Sequence, residues 1–465
     1  MTARRGRRVR CVGAVAVALA LVACGTRVDT PTTLAAGGGS PTTAAGTVDD
    51  GTTNGTTNVG DAGTVSGGTS GGTSGSQGST SGGTSGSNGT SGSNGSTGAT
   101  GSSGPATGVP IQLGAVGTHS GLIGGALVPS WSALIAWSSW LNAHGGIKGR
   151  PVKLTTADDA GDPGKHAALV SQLIEQYHVV AFVGDPAPLT FSAGTPVLEQ
   201  AGVPAIGGDS TDPGWFESPL AFPLAGSVPG IPIALAKWGI GGGLTQKKAA
   251  LFYINEAAVG SEGAHVFGDL WKQGGGQVVV DTGVSIAQPD FTSEALSAKN
   301  NGADVVLVFM QDASCSRFFD AAKRQDYHPI FLTIGCSITS IRGAGDETAN
   351  HTYVGGNYRS KGDTPAIREY QAAMRAYAPN IPIDEGLNLL GWLSGKLFEA
   401  AAARVQGDIT SAKLIDAMHS LKGETLGGYM NPQSWPPGNS PKGKCGMVSF
   451  YDGTTTRLVT PEFVC

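Results

Sequence analysis

The sequence predicts an α/β protein made of two Rossmann-like lobes, each a mostly parallel sheet with helices on both faces. Short apolar segments typical of strands alternate with longer segments of helical periodicity from residue 111 onward, and this alternation restarts after Pro229. Residues 109–465 are also more than one hydrophobic core usually holds. We therefore expect two lobes joined by a hinge of several crossing segments, with a ligand cleft beyond the carboxyl ends of their strands.

The first lobe begins with the strand IQLGAVG, which ends in glycine. The helix after it carries Trp131, Leu134 and Leu141 near helical spacing, and the glycines of HGGIKG end it because glycine readily adopts the left-handed conformation. The predicted elements, in chain order, are the strand 111–117, the helix 129–143, the strand 151–159, the helix 164–177, the strand 179–184, the helix 192–202 and the strand 203–208.

The second lobe repeats this order of elements. They are the helix 232–240, the strand 248–254, the helix 260–275, the strand 277–284, the helix 291–302, the strand 303–310, the helix 316–325 and the strand 329–335. Two long helices follow, at about residues 365–377 and 385–405. The chain ends in a predicted hairpin whose turn is Asp452-Gly453.

The hinge is expected where the chain crosses between the lobes, near residues 227–230, 350–355 and 438–442. The first lobe then comprises residues 109–228 and 355–440. The second lobe comprises residues 229–354 and 441–465.

The N-terminus has the order of a secretory signal peptide, residues 1–23. Five arginines between residues 4 and 10 precede an apolar run that is too short to cross a bilayer, which takes about 20 apolar residues. The tetrad LVAC, ending at Cys24, resembles the lipobox of bacterial lipoproteins, in which the cysteine is acylated and becomes the first mature residue. The alternative is an ordinary signal peptide that contains a cysteine, and the export route, general or twin-arginine, stays open.

Residues 24–108 form a segment rich in Gly, Ser and Thr, with near-repeats such as GGTSGS. Such a segment has too few apolar residues to form a core, so we expect a disordered, lipid-anchored linker. A flexible chain of this length has a root-mean-square span of roughly 50 Å. The linker would therefore let the globular part work at a distance from the bilayer.

Charge and cysteine content restrict the partners. The net charge is −5 and no basic run occurs beyond the signal peptide, which argues against a nucleic-acid partner. No CxxC or HxxxH spacing occurs, so we expect neither a metal nor a cofactor.

Cysteines 315, 336, 445 and 465 allow three pairings in an exported protein. We favour Cys315–Cys336 and Cys445–Cys465, which close the two short loops.

Three segments carry a family resemblance: IQLGAVGTHSG, the stretch 141–184 and AGVPAIGGDSTDP, with NAHGGIKGR and DDAGDP as the most diagnostic elements. Together they resemble the type I periplasmic binding proteins of the branched-chain amino acid class, which are the extracytoplasmic receptors of ABC importers. The resemblance covers the chain from about Val109 to its end. It implies the two-lobed fold of that family, a small-molecule ligand, an ABC permease as membrane partner, and no cofactor.

In this family, hydroxyls and backbone N–H groups at helix starts hold the ligand's carboxylate, an arrangement that favours an anion. By position, the resemblance assigns ligand contacts to Ser120, Gly121, Ala187, Pro188, Asp209, Ser210 and Thr211 in the first lobe and to Val259, Gln311 and Ser337 in the second. The alternative for each serine or threonine is a helix N-cap without a ligand role.

Several of these positions depart from the family's amino acid receptors. The receptors have Ser or Thr where Pro188 stands, tyrosine at Val259, an aromatic residue near Gln311, and near Ser337 a glutamate for the ligand's ammonium group. A buried ammonium group without a carboxylate is costly, so an ordinary amino acid pose is disfavoured. Asp209 stands where relatives have a small residue, and it either pairs with a cationic or hydroxyl-bearing ligand or caps a surface turn.

The sequence thus predicts a non-enzymatic solute-binding lipoprotein on the extracytoplasmic face of the cell membrane. It would capture a small polar ligand, an amino acid or a related carboxylate or amide, and deliver it to the permease. The alternative is a ligand-sensing receptor domain of a signalling system on the same fold. An enzyme is disfavoured because the Gly-x-Ser-x-Gly match at residues 68–72 lies in the linker, not after a strand.

Overall fold

The computed structural model describes residues 104–208, 210–224, 230–345, 347, 351–383, 386–440 and 442–465. The predicted signal peptide, Cys24 and all but the last residues of the predicted linker lie outside this part of the chain, as do Asp209 and parts of the three predicted crossings, at residues 227–229, 350 and 441. Within the described part, no helix is both long enough and apolar enough to cross a bilayer.

The described residues form two sheets. The first has the order β2-β1-β3-β4-β5, with all neighbours parallel, and its strands are β1 (Ile111–Gly117), β2 (Val152–Asp158), β3 (Ala181–Val183), β4 (Ala205–Ile206) and β5 (Ala221–Phe222). The second has the order β12-β11-β10-β9-β8-β6-β7, and its strands are β6 (Lys248–Ile254), β7 (Gln277–Val284), β8 (Val305–Phe309), β9 (Ile330–Ile334), β10 (Thr352–Gly356), β11 (Met447–Tyr451) and β12 (Thr456–Leu458). The pairs β10–β11 and β11–β12 are antiparallel and the others parallel.

Helices follow most of the parallel strands. Two of them start sharply, because Asp162 and Thr364 each accept a hydrogen bond from a backbone N–H of the first turn and a proline follows each cap. A π-helical turn, Gly239–Gly243, extends the helix before β6. The helices are α1 (Gly124–Ala143), α2 (Pro163–Tyr177), α3 (Phe191–Ala201), α4 (Gly214–Glu217), α5 (Gly230–Trp238), α6 (Ala258–Gln273), α7 (Thr292–Asn300), α8 (Asp312–Arg324), α9 (Ile338–Gly343), α10 (Pro365–Tyr377), α11 (Gly386–Arg404) and α12 (Ser411–Ser420).

Each sheet is buried between two helical layers, because alternate residues of a strand point to opposite faces. In the first sheet, Leu113 packs into the cluster that includes α1, α10 and α11, whereas Phe182 packs into the cluster of α2, α3 and α4. In the second sheet, Leu307 packs with α5 and α6, and its neighbour Val308 packs with α7, α8 and α9. The predicted α/β class, with parallel sheets flanked by helices, is confirmed.

Three details differ from the predicted elements. Helix α1 begins at Gly124 rather than Pro129. Pro129 lies inside the helix, where a proline removes one backbone hydrogen bond. Strand β5 and helices α4, α9 and α12 were not predicted. Strand β10 pairs through Gly356 with β11, so the chain leaves the second sheet after Gly356 and not within residues 350–355.

Both short-loop disulfides are present. Cys315 and Cys336 have Cα atoms 5.7 Å apart and join the first turn of α8 to the loop after β9. Cys445 and Cys465 have Cα atoms 4.0 Å apart and join the segment before β11 to the chain end. The first bridge therefore braces two neighbouring loops at the carboxyl end of the second sheet.

Replacing Cys315 and Cys336 together with alanine is expected to lower the free energy of unfolding by about 3 kcal/mol, because an open loop of this length gains that much conformational entropy in the unfolded chain. Urea unfolding followed by circular dichroism measures the change. The Cys445–Cys465 bridge closes a loop of similar length, so the variant in which both of these cysteines are replaced with alanine serves as the matched comparison. Unchanged midpoints in both variants would contradict a stabilising role.

Candidate functional site

The loop after β1 is fixed by Asp158 at the end of β2. Its carboxylate accepts hydrogen bonds from the backbone N–H groups of His119 at 2.8 Å, Ser120 at 3.2 Å and Ala160 at 2.9 Å, and from the Ser120 hydroxyl at 2.6 Å. Burial raises the pKa of Asp158, but these donors outweigh it and lower the pKa to about 2. The one hydroxyl proton of Ser120 is thus used within the protein, and this side chain has only acceptor capacity left for a ligand.

The next residue, Asp159, is fully buried and ties the loops after β1 and β3 to helix α2. Its carboxylate accepts hydrogen bonds from Thr118 Oγ1 at 2.8 Å, Gly161 N at 2.8 Å, His166 Nδ1 at 2.9 Å and Thr190 Oγ1 at 2.6 Å. Burial raises the pKa of Asp159, and the donors, with His166 first, reverse the effect and lower it. A buried carboxylate with four donors is a rigid anchor, so this network sets the positions of both loops.

Asp185, which follows β3 after Gly184, is a second buried acid beneath the same loops. It accepts a hydrogen bond from Val116 N at 2.9 Å. Burial, with a smaller contribution from the negative charge of Asp159, raises the pKa of Asp185 to about 8. The side chain is therefore protonated at neutral pH.

The loop after β3 presents few side-chain donors. Ala187 is fully buried in the first-sheet core and Pro188 is half-buried, so neither offers a polar side-chain group. Leu189 packs both against the first-sheet core and against the α5–α6 side of the second sheet. Ile254, at the end of β6, also packs against clusters of both sheets. The two halves therefore meet through apolar side chains in this structure.

The loop after β4 is held from two sides. Gly208 donates its backbone N–H to the Ser394 hydroxyl of α11 at 2.9 Å, and a Cβ atom at Gly208 would lie 2.1 Å from the Trp215 ring. Asp212 accepts hydrogen bonds from Ser192 N at 3.1 Å and Gly214 N at 2.8 Å, which links the starts of α3 and α4. These contacts place Ser210 and Thr211 at the carboxyl end of the first sheet.

A small pocket joins residues from both halves of the molecule. Ser210 and Thr211 line it from the first sheet, and Val259 lines it from the start of α6. Its volume is about 40 Å³, far below the roughly 300 Å³ at the lower end of ordinary ligand pockets. An amino acid or a larger acid therefore needs the two sheets to separate before it can enter.

One ion pair lines the same pocket. Lys442 Nζ lies 2.9 and 3.1 Å from the carboxylate oxygens of Glu262 in α6, and 5.9 Å from the centre of the Phe216 ring. Lys442 belongs to the last predicted crossing segment, so its partner in α6 connects that segment to the second sheet. Both side chains are about half exposed, which limits the contribution of the pair to stability.

Gln311 and Ser337 begin helices, and neither lines this pocket. The Gln311 side chain accepts a hydrogen bond from Ala313 N at 2.8 Å, and its amide donates to Ser314 Oγ at 3.0 Å. Ser337 Oγ accepts from Ser340 N at 2.9 Å, as the N-cap of α9. Both side chains therefore cap helices in the described conformation. For Ser337, this is the N-cap alternative that the sequence left open.

The structure thus brings together only part of the predicted site. Ser210, Thr211 and Val259 share one pocket, whereas Ser120, Gly121, Ala187, Pro188, Gln311 and Ser337 do not line it. The buried acids Asp159 and Asp185, with His166, were not assigned a role from the sequence. Their signal was an acidic residue within two positions of the carboxyl end of a strand, since Asp159 follows β2 and Asp185 follows β3 after Gly184.

One family of known proteins matches most of the chain. A family model described as "Periplasmic binding protein" matches residues 110–448. A curated "Amino acid binding protein" of Pseudomonas aeruginosa is 26% identical over 198 residues, which are 42% of this chain and 52% of that protein. This chain is therefore aligned with about half the length of that relative.

Two solved structures show the same fold at low identity. A possible leucine/isoleucine/valine-binding protein from Rhodopirellula baltica has a TM-score of 0.67 at 18% identity, covering 77% of this chain and 98% of the other. An ABC transporter solute-binding protein from R. palustris in complex with benzoate has a TM-score of 0.63 at 18% identity, covering 76% and 96%. Both matches cover nearly the whole of the solved chain.

Replacing Asp185 with asparagine is expected to change the pH dependence of stability. The folded chain keeps Asp185 protonated up to about pH 8, whereas the unfolded chain ionises it near its ordinary pKa of 3.8, so unfolding releases a proton between these values. As the pH rises through this window, the free energy of unfolding of the wild type should therefore fall by about 1.4 kcal/mol per pH unit relative to that of D185N.

Urea unfolding of both proteins at several pH values between 5 and 7.5 measures this difference. Asparagine keeps the oxygen that accepts from Val116 N, so the variant removes only the titration. Parallel stability curves for the two proteins would contradict the raised pKa.

Proposed function

The chain belongs to the periplasmic binding protein family, and from this premise we propose that it is the extracytoplasmic solute-binding lipoprotein of an ABC importer. It captures one small polar ligand, an amino acid or a related carboxylate or amide, between its two sheets. The proteins it resembles are binding proteins and not enzymes, which supports a role without covalent chemistry.

One observation carries this proposal: a single pocket is lined by Ser210 and Thr211 after β4 and by Val259 at the start of α6. Hydroxyl groups and N–H groups beyond the ends of parallel strands suit the carboxylate or amide oxygen of a ligand. A ligand that contacts both sides favours the closed arrangement over the open one, and this differential affinity drives closure.

Within that class, we favour a ligand without a free ammonium group. The receptors of this family that bind amino acids use a glutamate near the position of Ser337, and Ser337 here is a helix cap. An ammonium group there would be buried without a counter-charge, at a cost of several kcal/mol. The benzoate complex of the R. palustris protein is an example of such a ligand on the same fold.

The lobe boundaries, the other predicted ligand contacts and the lipid anchor at Cys24 are part of the same proposal. One lobe is residues 109–228 with 355–440, and the other is residues 229–354 with 441–465. In an open form, the loops with Ser120 and Pro188 would face the ligand along with the pocket residues, and Asp209, the residue before Ser210 in the sequence, belongs to the same proposed set of contacts. Cys24 carries the lipid, the linker reaches to the membrane, and the permease is the partner there.

The names of the similar proteins favour the importer role over the sensing role. The R. palustris structure is named as an ABC transporter component, and the other two matches are named as amino acid or leucine/isoleucine/valine binders. No observation on this chain favours a signalling partner over a permease.

The full chain is expected to gain stability from at least one carboxylate or amide in a thermal-shift panel that also contains common amino acids. A ligand at 100 times its dissociation constant adds about 2.7 kcal/mol. Ser210→Ala should weaken binding of that compound by about ten-fold, because a hydrogen bond to a charged oxygen is lost.

Ser171→Ala is the matched control, since this serine lies on the surface of α2 and bonds to Glu175. Its affinity should equal that of the wild type. Absence of any shift across the panel, together with turnover of an ester or glycoside, would refute the receptor role.

Cys24→Ala is expected to move the chain from the membrane fraction to the aqueous fraction, because the acyl chains on this cysteine supply the anchoring free energy. Fractionation of expressing cells followed by immunoblotting measures the change. Cys11→Ala is the matched control and should remain membrane-bound. Equal membrane retention of the Cys24 variant and the control would contradict lipidation at Cys24.

A further inference from the structure

Asp185 is a buried acid with few groups to stabilise its charge. Its side chain is 1% exposed, and among the described residues the one hydrogen bond to its carboxyl group comes from Val116 N at 2.9 Å. No lysine, arginine or histidine of the described residues forms an ion pair with it. A buried carboxylate needs several donors or a counter-charge, so the neutral, protonated form of Asp185 is the one that fits this place.

Asp159 places a second acid in the same buried cluster. It is 0% exposed, and four donors hold its carboxylate in the charged form. Burial is the largest cause that raises the pKa of Asp185 to about 8, and the negative charge of Asp159 adds to it. Ionisation of Asp185 would therefore put two negative charges into one cluster.

The titratable groups of the neighbouring loops do not neutralise that charge. His166 of α2 faces Asp159, with Nδ1 2.9 Å from the carboxylate, and its Nε2 has no hydrogen-bond partner among the described residues. Two further acids, Asp158 and Asp212, are held by backbone N–H groups of their own loops. These groups add negative charge near the cluster and supply no cation to Asp185.

The helices around the cluster also supply no counter-charge. Helix α1 contains no charged residue, and in α11 Lys396 pairs with Glu399. The other charged side chains in the bodies of α2, α3, α4 and α11 are exposed, namely Lys165, Glu175, Glu199, Glu217 and Arg404. The proton on Asp185 is therefore what keeps this position neutral.

The same cluster fastens the loop after β1 to the loop after β3. Val116 N donates to Asp185, and Thr118 N donates to the Pro186 carbonyl at 3.0 Å. A Cβ atom at Gly117 would lie 2.7 Å from the Pro186 oxygen, so the two backbones are in direct contact. Separation of the loops would break these hydrogen bonds and bring water to Asp185.

We propose that the proton on Asp185 is a switch that holds these two loops together. The loops stay joined while the side chain is neutral, and when they separate the carboxyl group meets water and releases its proton to the solvent. The loops carry Ser120 and Pro188, two predicted ligand contacts. The effect of the switch on ligand capture rests on the proposed function, whereas the switch itself does not.

Proton linkage fixes the direction of the effect. In the joined loops Asp185 keeps its proton up to about pH 8, whereas in separated loops it ionises near the ordinary pKa of 3.8. Between these values, each unit of rising pH favours the separated form by up to about ten-fold, and above them the effect levels off. A solute that needs the joined loops therefore takes up a proton as it binds, and its affinity is highest at acidic pH.

The decisive measurement is made on the full chain without added solute, by fluorine NMR of 5-fluorotryptophan. Trp131 is 3% exposed and donates from Nε1 to the Thr118 carbonyl at 3.2 Å, so its resonance reports the loop after β1. Trp131→Phe identifies that resonance. Between pH 5.5 and 8, the ratio of the separated to the joined form should rise by up to about ten-fold per pH unit.

Three variants isolate the group that is responsible. Asp185→Asn should abolish the pH change, because the amide keeps an oxygen for Val116 N and releases no proton. Asp416→Asn is the matched control, since this aspartate is exposed on α12, and it should behave as the wild type. His119→Gln removes the exposed ring whose centre lies 6.0 Å from that of Trp131, and it should keep the pH change.

Isothermal titration with benzoate and benzamide, one charged and one neutral probe, tests the coupling to capture. A probe that binds should bind about ten-fold more weakly at pH 8 than at pH 5.5, with proton uptake detected from the heats in two buffers of different ionisation enthalpy. In D185N the affinities at the two pH values should be equal. A Trp131 response without binding of either probe would support the switch and count against the proposed function.

Two results would overturn the switch. One is a Trp131 resonance that stays the same from pH 5.5 to 8.5. The other is a pH change of equal size in the wild type and D185N, which would assign it to another group. Binding of a probe with equal affinity at both pH values and no proton uptake would overturn the coupling to capture.

Discussion

The arrangement of the site depends on one buried carboxylate. Asp159 lies at the end of β2 without exposure to water, and four donors from the loop after β1, its own turn, α2 and the loop after β3 converge on it. A buried charge must be fully hydrogen-bonded or it becomes costly, so the donors cannot leave it separately. Its neighbour Asp158 holds the turn with Ser120 from outside. The first sheet therefore presents rigid loops to the second sheet, so the proposed closure on a ligand would be a movement of the two sheets as units.

The meeting of the two halves explains why ligand entry requires that movement. Leu189 and Ile254 pack across the boundary, and the pocket between Ser210 and Val259 is too small for an amino acid. Apolar contacts of this kind are non-directional, so a ligand can replace them without leaving polar groups unpaired.

Much of the fold was predictable because each strand has its own local signal. The buried strand β8 is a continuous apolar run, and α10 begins at the proline that follows its Thr364 cap, as expected. Strand β5 was missed because two residues carry no periodicity. The end of the second sheet was placed too early because Gly355 and Gly356 are paired by tertiary contacts with β11, although glycine is uncommon in strands. The candidate site was less predictable, since Ser210 and Val259 come to line one pocket only after the chain has folded. The resemblance assigned Gln311 and Ser337 to the ligand, and local hydrogen bonding makes both of them helix caps.

The central claim is that two preformed sheets close on one small guest. The most direct test is the distance between spin labels on Ala168→Cys in α2 and Ser293→Cys in α7, which lie on the helices after the edge strands β2 and β7. It is measured by pulsed electron resonance with and without the compound that gives the largest thermal shift. The account predicts a broad, longer distribution without the compound and a single shorter distance with it. The same distribution in both conditions, at a saturating concentration, would contradict closure on a ligand.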